Sequence, residues 1–332
     1  MIDAITYKNK MYMTASDFCT SSVYFTWIMI FNTQLAENHS IDVYSMVENG
    51  TWTLENFQKI VRDSYEGGGT NDIDITKDTF GFVTHDNTAI TNWMFALDIP
   101  VSRFNANGEY ELLLNSDRMI NACEEIYKLL FESNNGTLYF NSHNLNTYGM
   151  GSHDEAVTKK FGTGQAFFTA CRILALENLR DNDLYYGIIP FPKYDEEQAA
   201  YHSHVDGRAS LMFIPNNLDA TTLEKVGMLV EALSYQTYTS VMPEIEDVAL
   251  LGRYSPDQIA YQMLQDTLAG RSYAFTYVYN EISSAKPYWI LTNLMKNDSS
   301  SFASEWASAE GVLKRDFREI LNDLEDGISS VE

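Results

Sequence analysis

The chain has 332 residues, and at about 100–200 residues per domain this length predicts two domains. Its 46 Asp and Glu residues outnumber 22 Lys and Arg residues, which gives a formal charge of −24. This charge argues against nucleic-acid binding and against docking on anionic lipid, because both need clustered basic side chains. Hydrophobic residues make up 45% of the chain and aromatic residues 13%, so we expect a sizeable core and ring faces for a ligand.

Strand-like and helix-like patterns alternate along the first two thirds of the chain. Apolar runs predict strands, the first two paired as a hairpin, at residues 5–7, 11–13, 26–31, 80–83, 110–114, 167–170, 186–190 and 211–214. Helical spacing predicts helices at residues 42–48, from 53 onward, at 89–97 and at 116–133, with Thr53 and Ser116 as N-caps. From residue 221 the chain is mostly helical, with helices at residues 223–238, 257–268, 287–295 and 305–326 and a strand at 277–279. This interleaving favours an α/β architecture.

Motifs for catalysis and for bound cofactors are missing from the sequence. It has no G-x-S-x-G, no H-E-x-x-H and no G-x-G-x-x-G, and the glycines at residues 67–69 lack the lysine of a phosphate loop. The cysteines, Cys19, Cys123 and Cys171, are far apart, which favours isolated core residues over a disulfide or a zinc site. We therefore expect no cofactor and no catalytic residues.

Two small groups of residues have spacings that a metal site could use. His202 and His204 share one face if their segment is a strand, but the pair lacks the third ligand that zinc requires. Asp72, Asp74 and Asp78 alternate loosely, without the glycine and closing glutamate of an EF-hand. Core histidines and a solvated acidic loop are the favoured interpretations, and calcium binding at the loop is left open.

The first residues are neither basic nor followed by an apolar run, so they do not form a signal peptide. The longest apolar stretch, residues 27–31, is far too short to span a membrane. Taken literally, these features predict a cytosolic protein. They are equally expected of a chain that starts in the middle of a longer protein.

Several segments share an order and a spacing with one known family. Residues 27–36 form a strand followed by F-N-x-x-L, residues 49–57 match N-G-x-W-T-x-E-x-F, and residues 186–194 match Y-G-I-x-P-x-P-K-Y. Residues 210–215 look like a return crossing between lobes, and a helix at 306–324 closes the chain. Together these segments resemble the extracellular solute-binding proteins (family 1, maltose-binding-protein class) of bacterial ABC sugar importers.

The resemblance implies a two-lobed, periplasmic-binding-protein-like (type II) α/β fold. Residues 1–24 are expected to form a first-lobe remnant and a hinge crossing, and residues 25–205 to form lobe two. Residues 206–332 are expected to hold the return crossing and mostly helical first-lobe segments. The long first-lobe segment that precedes the hairpin in the family has no counterpart here, so we expect an incomplete first lobe, whether from a fragment or from a natural short form.

The resemblance also implies function. The family binds sugar between its lobes without reacting it, and hinge closure around the ligand is what the importer recognises. It therefore implies a non-enzymatic, monomeric oligosaccharide-binding protein that works with ABC-transporter permease subunits, and an extracellular lipoprotein in its full-length form. Two alternatives stay open: a glycosidase, since carboxylates are abundant, and a truncated remnant that binds weakly or no longer binds ligand.

By position in the family, the ligand-binding residues are expected at the cleft between the lobes. Rings supply stacking faces, and planar polar side chains match sugar hydroxyls. Close relatives often carry Trp where Glu281 stands, which removes one expected stacking platform. The candidates are Tyr24, Phe25, Asn92, Trp93, Arg172, Asp206, Arg208, Asn280 and Glu281.

Three of these candidates have a purely structural alternative. Trp93 lies in an apolar run and could equally pack in the core. Arg172 could pair with Glu177 or Asp181 at the surface, where ion pairs stabilise weakly. Asp206 precedes a glycine and could belong only to a turn.

Overall fold

The computed structural model describes residues 1–11, 13–15, 18–67, 73–141, 145, 151–180, 182–215 and 217–329. Its strands are β1 (Thr6–Tyr7), β2 (Lys10–Met11), β3 (Trp27–Asn32), β4 (Phe80–His85), β5 (Ser102–Phe104), β6 (Tyr110–Leu112), β7 (Thr137–Phe140), β8 (Ala166–Arg172), β9 (Tyr186–Ile189), β10 (Ser203–His204) and β11 (Arg271–Ser272). Its α-helices are α1 (Ile2–Ile5), α2 (Ser21–Tyr24), α3 (Thr33–Asn38), α4 (Val43–Glu48), α5 (Leu54–Asp63), α6 (Thr88–Ala96), α7 (Asp117–Phe131), α8 (His153–Gly162), α9 (Ala220–Gln236), α10 (Met242–Glu244), α11 (Gln258–Ala269), α12 (Phe275–Val278), α13 (Ile290–Lys296) and α14 (Phe302–Ser329). Further helical turns are 3₁₀ at Ile173–Leu179 and Pro287–Trp289, and π at Thr237–Val241 and Ile245–Tyr254.

A five-stranded mixed sheet lies at the centre of the molecule, in the order β7-β4-β8-β3-β9. Strand β4 runs parallel to β7 and β8, whereas β3 is antiparallel to β8 and β9. Every residue of β3, β4 and β8 is buried. The near-continuous apolar runs that predict these strands are therefore those of a sheet covered on both faces, and the predicted α/β class is confirmed.

Strand β3 shows how the sheet divides the core into two. Trp27, Met29 and Phe31 pack into one cluster together with α5, α6, α7, α13 and α14. Ile28 and Ile30 pack into the other, with α8, α11 and the π-helical turns that precede α11. Successive side chains of a strand point to opposite faces, so the sheet is the middle of three layers.

The predicted N-terminal hairpin forms as β1 and β2, with only two residue pairs in its ladder. Its turn consists of Lys8 and Asn9, whose φ angles of 47° and 62° are those of a type I′ turn. The hairpin is tied to α14, because the Tyr7 hydroxyl donates to the Glu325 carboxylate at 2.6 Å. Tyr12, in the predicted second strand, lies outside the described residues.

The predicted N-caps of α5 and α7 are confirmed. The hydroxyls of Thr53 and Ser116 each accept the backbone N–H three residues further on. Helix α5 then packs directly on β4, where a Cβ at Gly81 would lie 2.2 Å from the carbonyl oxygen of Val61. Only glycine allows this close approach.

The strand predicted at residues 211–214 is wrong. Only Met212 forms a bridge, to Thr14, and the neighbouring Phe213 is 61% exposed. A strand needs a partner along its length, and this segment crosses the molecule with one bridge alone.

The strand predicted at residues 277–279 is also wrong, because this segment belongs to α12 and the turn after it. Phe275 and Tyr279, four residues apart, pack with ring centroids 4.7 Å apart. That contact requires helical spacing.

Helix α8, strands β5 and β7 and the 3₁₀ segment after β8 are among the elements that were not predicted from the sequence. A usable signal preceded α8, because Ser152 and Glu155 have the spacing of a capping box. The Ser152 hydroxyl accepts the Glu155 backbone N–H at 3.2 Å.

Part of the helical region after residue 217 is buried against the sheet, and part of it is exposed to solvent. Ile245, Leu250 and Leu264 are buried in the core on the second face of the sheet, so these residues pack with residues that precede the expected boundary at residue 205. In contrast, α9 has no buried residue, and Met228 and Leu229 are each 59% exposed. Within the described part of the chain, no helix is both long and apolar enough to span a membrane.

Candidate functional site

A cleft of about 430 Å³ opens between the start of α6, the segment after β10 and the segment from β11 to α13. This volume is typical of small-molecule sites. Four of the predicted site residues line it, namely Asp206, Arg208, Asn280 and Glu281. Thr88, Tyr273, Tyr277 and Trp289 also line it.

A tight turn that begins at Asp206 forms one wall of the cleft. Asp206 Oδ1 accepts the backbone N–H of Arg208 at 3.0 Å, and Oδ2 accepts the Thr88 hydroxyl at 2.7 Å. The backbone N–H of Gly207 donates to the Tyr277 hydroxyl at 3.0 Å. The Asp206 carboxylate therefore both forms the turn and lines the cleft, while the side chain of Arg208 is exposed.

The opposite wall is built around Glu281. Its carboxylate accepts the indole N–H of Trp289 at 2.7 Å, the Lys286 ammonium at 2.5 Å and the Asn280 amide at 2.9 Å. Burial alone would raise the pKa of Glu281, but the bonds from Lys286 and Trp289 outweigh it and hold this pKa below its ordinary value. Glu281 is thus an ionised side chain that fixes the plane of the Trp289 ring at the cleft.

A chain of hydrogen bonds supports the Asp206 turn from below. Tyr277 accepts the Gly207 N–H and lies 3.1 Å from Nε2 of His204, while Nδ1 of His204 lies 3.2 Å from Oδ1 of Asn92. Burial lowers the pKa of His204 to about 4, so the ring is neutral. A neutral ring donates from Nδ1 to the Asn92 amide oxygen and accepts the Tyr277 hydroxyl at Nε2.

Arg172 lies beneath the cleft and does not line it, which corrects its expected role as a direct sugar ligand. Its side chain is 9% exposed and lies between two carboxylates. It donates to Asp154 through Nη2, and its Nη1 is 3.6 Å from Asp206 Oδ2. The alternative of a surface pair is also wrong for Glu177, whose carboxylate accepts a tyrosine hydroxyl instead; Asp181 lies outside the described residues.

Two histidines extend this buried polar group. His153 Nε2 is 2.8 Å from Asp86 Oδ1, and the His85 ring packs 5.0 Å from that of His153. Neither ring nitrogen of His85 has a hydrogen-bond partner among the described residues. Burial lowers the pKa of His85 to about 3, so it is neutral at physiological pH.

The expectation that Asn92 and Trp93 face the cleft is corrected by the packing of α6. Trp93 has no exposed surface, and its ring packs edge-on against Phe191 at 5.2 Å. Asn92 is equally buried and is occupied by His204. The core alternative weighed for Trp93 is the one that the structure contains.

Tyr24 and Phe25 are half-buried and do not line the cleft. Tyr24 packs against the core on the second face of the sheet. The Phe25 ring lies 5.4 Å from the Arg172 guanidinium, and its carbonyl accepts the Asp206 N–H at 2.9 Å. Phe25 therefore supports the turn rather than offering a free ring face.

Neither group with metal-like spacing forms a metal site in the described residues. His202 pairs with Ser272, whereas His204 contacts Asn92 and Tyr277. Asp74 and Asp78 are engaged in local hydrogen bonds and an ion pair with Lys77. Asp72 lies outside the described residues.

Sequence reasoning missed Trp289, Tyr273 and Tyr277 as cleft residues. Trp289 follows Pro287 at the start of a helical segment, a position that gave no signal of exposure. The clue was available in Glu281: an acid stands where a ring was expected, and the ring is supplied eight residues later by its hydrogen-bond partner.

The arrangement has side chains that can hold a hydroxyl-rich molecule. Trp289 and Tyr273 offer rings, and the Asp206 turn and Glu281 offer acceptors at opposite walls. Rings beside planar polar groups match the apolar faces and hydroxyls of a sugar.

No protein-family model matches the sequence, and no curated protein matches it either. Solved structures do match. A Listeria monocytogenes ABC substrate-binding protein, Lmo0181, in complex with cycloalternan superposes with a TM-score of 0.55 at 11% identity, over 94% of this chain and 74% of that one. UgpB of Mycobacterium tuberculosis in complex with glycerophosphocholine gives 0.58 at 13% identity, over 94% and 72%.

A third match is a Streptococcus pneumoniae solute-binding protein in complex with the blood group A-trisaccharide, with a TM-score of 0.54 at 14% identity, over 95% of this chain and 74% of that one. Identities this low establish the fold alone. The chain accordingly has the α/β, periplasmic-binding-protein-like (type II) fold of the ABC-transporter solute-binding proteins.

Proposed function

We propose that this chain binds a carbohydrate in the cleft, without reacting it, as the solute-binding subunit of an ABC importer. The observation that carries the proposal is the Trp289 ring, which Glu281 holds at the cleft and which lines the cleft together with the Asp206 turn. The fold supports it, since two of the superposed proteins are described in complex with cycloalternan and with a blood group trisaccharide.

Binding is proposed rather than hydrolysis because of the state of the cleft carboxylates. A glycosidase needs one carboxylic acid whose pKa is raised, so that it can protonate the leaving group. Glu281 has a lowered pKa and is paired with Lys286. Asp206 is bound by Thr88 and lies beside Arg172. This pairing favours a holding role for both carboxylates.

The proposal extends to partners and location. The bound solute would close the molecule about the cleft, and permease subunits would recognise the closed form. We propose a monomer that works outside the cytoplasmic membrane as a lipoprotein. We also propose that residues 25–205, joined by the packed segment at 245–269, make up lobe two.

The test is isothermal titration of the full chain with a panel of neutral and acidic oligosaccharides, with chromatography of the sugars afterwards. We expect binding of at least one sugar, which is recovered unchanged. Recovery of shortened sugars would establish the glycosidase instead. Failure of every sugar to bind would overturn the proposal.

The Trp289 ring supplies the sharpest variant. Truncating a tryptophan that anchors a binding site typically costs about 2 kcal/mol or more, so we expect Trp289→Ala to weaken binding of the best sugar roughly 10-fold or more. Tyr185→Ala is the matched control, because Tyr185 is 78% exposed and does not line the cleft. Equal affinities for Trp289→Ala and the unmodified chain would remove Trp289 from the site.

A further inference from the structure

One cation that lines the cleft has no carboxylate partner. Two carboxylates and one guanidinium line it: Asp206, Glu281 and Arg208. The cations beside the cleft are already paired, since Lys286 binds Glu281 and Arg172 lies between Asp154 and Asp206. In the described lining this leaves Arg208 as the cation without a carboxylate.

Arg208 is also presented in a defined position. Its guanidinium forms no ion pair with any carboxylate in the described ranges, and its side chain is exposed. Its backbone, by contrast, is fixed, because Asp206 accepts its N–H at 3.0 Å and Tyr277 accepts the N–H of Gly207. A free guanidinium therefore projects from a rigid turn at the cleft.

We propose that the solute carries an anionic group, a carboxylate or a sulfate on a sugar ring, and that Arg208 binds it. This inference rests on the proposed function. The planar guanidinium can donate two parallel hydrogen bonds to two oxygens of a carboxylate or a sulfate. It binds a pair of neutral hydroxyls less strongly. An anionic solute needs such a local cation here, because the chain as a whole carries a formal charge of −24 and repels it.

The experiment is titration of the full chain with sugars matched in ring stereochemistry and length: galactobiose, digalacturonate and a sulfated galactobiose. We expect an acidic member to bind at least tenfold more tightly than the neutral one, with an advantage that shrinks as NaCl rises. A preference for digalacturonate identifies the anion as a carboxylate, and a preference for the sulfated sugar identifies it as a sulfate.

Two variants assign the advantage to Arg208. Arg208→Gln should remove the advantage, so that this variant binds the acidic sugar no more tightly than the neutral one. Arg208→Lys should keep part of the advantage, because the charge stays but the fork is lost. Arg318→Gln, an exposed arginine on α14, is the matched control and should change nothing. Thermal melts of all four proteins check that each is folded.

The outcomes separate this inference from the function on which it rests. If galactobiose binds as tightly as both acidic sugars, the chain is a sugar-binding protein and the inference is overturned. If the advantage survives in Arg208→Gln, the anion is recognised elsewhere and Arg208 is excluded. If no sugar of the wider panel binds, the proposed function fails, and the inference fails with it.

Discussion

Arg172 illustrates a side chain whose role is set by its neighbours rather than by its place in the chain. It lies with Asp154 and Asp206 under the cleft, and the Asp206 side chain is only 3% exposed. Removing one partner of a buried ion pair leaves an uncompensated charge, which costs about 3–5 kcal/mol. We expect Arg172→Ala to lower the free energy of unfolding by that amount, measured by urea denaturation.

Two further variants serve as comparisons: the conservative change Arg172→Lys and the surface control Arg103→Ala. Lysine keeps the charge but cannot reach both carboxylates with a planar fork, so an intermediate loss is expected. Arg103 pairs with Glu111 at the surface and is 62% exposed, so its loss should cost less than about 1 kcal/mol. If Arg172→Ala were as stable as Arg103→Ala, the buried charge cluster would have no part in stability.

Among single residues, the sequence predicted the residues of the Asp206 turn but not the residues of other elements that contact the cleft or lie beneath it. Asp206 and Arg208 were predicted from their position in the resembled family, and both line the cleft. Trp289, in contrast, reaches the cleft through its bond to Glu281, and Arg172 is drawn beneath it by Asp154. Those contacts join residues on different elements, and no local pattern encodes them.

Helix α9 stands out among the elements because it carries apolar side chains but buries none of them. Met228 and Leu229 are each 59% exposed, and Leu233 is 47% exposed. Exposed apolar patches of this kind bind dyes and other proteins. We expect Met228→Glu with Leu229→Glu to reduce binding of the dye ANS, while the free energy of unfolding changes by less than about 0.5 kcal/mol.

Two controls accompany the α9 variant. Tyr185→Glu changes one isolated exposed ring and should leave ANS binding unaltered. Leu313→Glu, at a fully buried site of α14, should unfold the chain or destabilise it severely. A large loss of stability in the α9 variant would show that its apolar face is buried in solution.

The difference between buried and exposed apolar segments also explains which elements can be predicted from the sequence. Strands β3, β4 and β8 lie between two helical layers, so their residues are mostly apolar and the strands are recognised easily. The exposed run at residues 211–214 is equally apolar but has one bridge only. Apolar composition indicates which segments could be strands. A strand forms only where a neighbouring strand is present to pair with the segment.

Stability of the whole molecule should fall as the pH is lowered from 7 to 5. Burial lowers the pKa of His85 to about 3 and that of His204 to about 4. Below an unfolded-state pKa of about 6.5, the unfolded chain therefore binds protons that the folded chain does not. Each histidine then costs roughly 2 kcal/mol at pH 5, which urea denaturation at both pH values measures.

His85→Phe tests the assignment, because phenylalanine fills a similar volume and cannot be protonated. Its stability should vary less between pH 7 and pH 5 than that of the unmodified chain, by about 2 kcal/mol. An unchanged slope in His85→Phe would locate the proton uptake elsewhere.

The order of strands in the sheet also governs how the chain acquires its structure during synthesis. Met29 of β3 pairs with Ala170 of β8 and with Ile189 of β9, so β3 leaves the ribosome long before either partner exists. At about 5–20 residues per second this wait lasts roughly 7–30 s. For that time an unpaired apolar segment is exposed to the cell, and a holding chaperone that binds extended apolar chain has its natural target there.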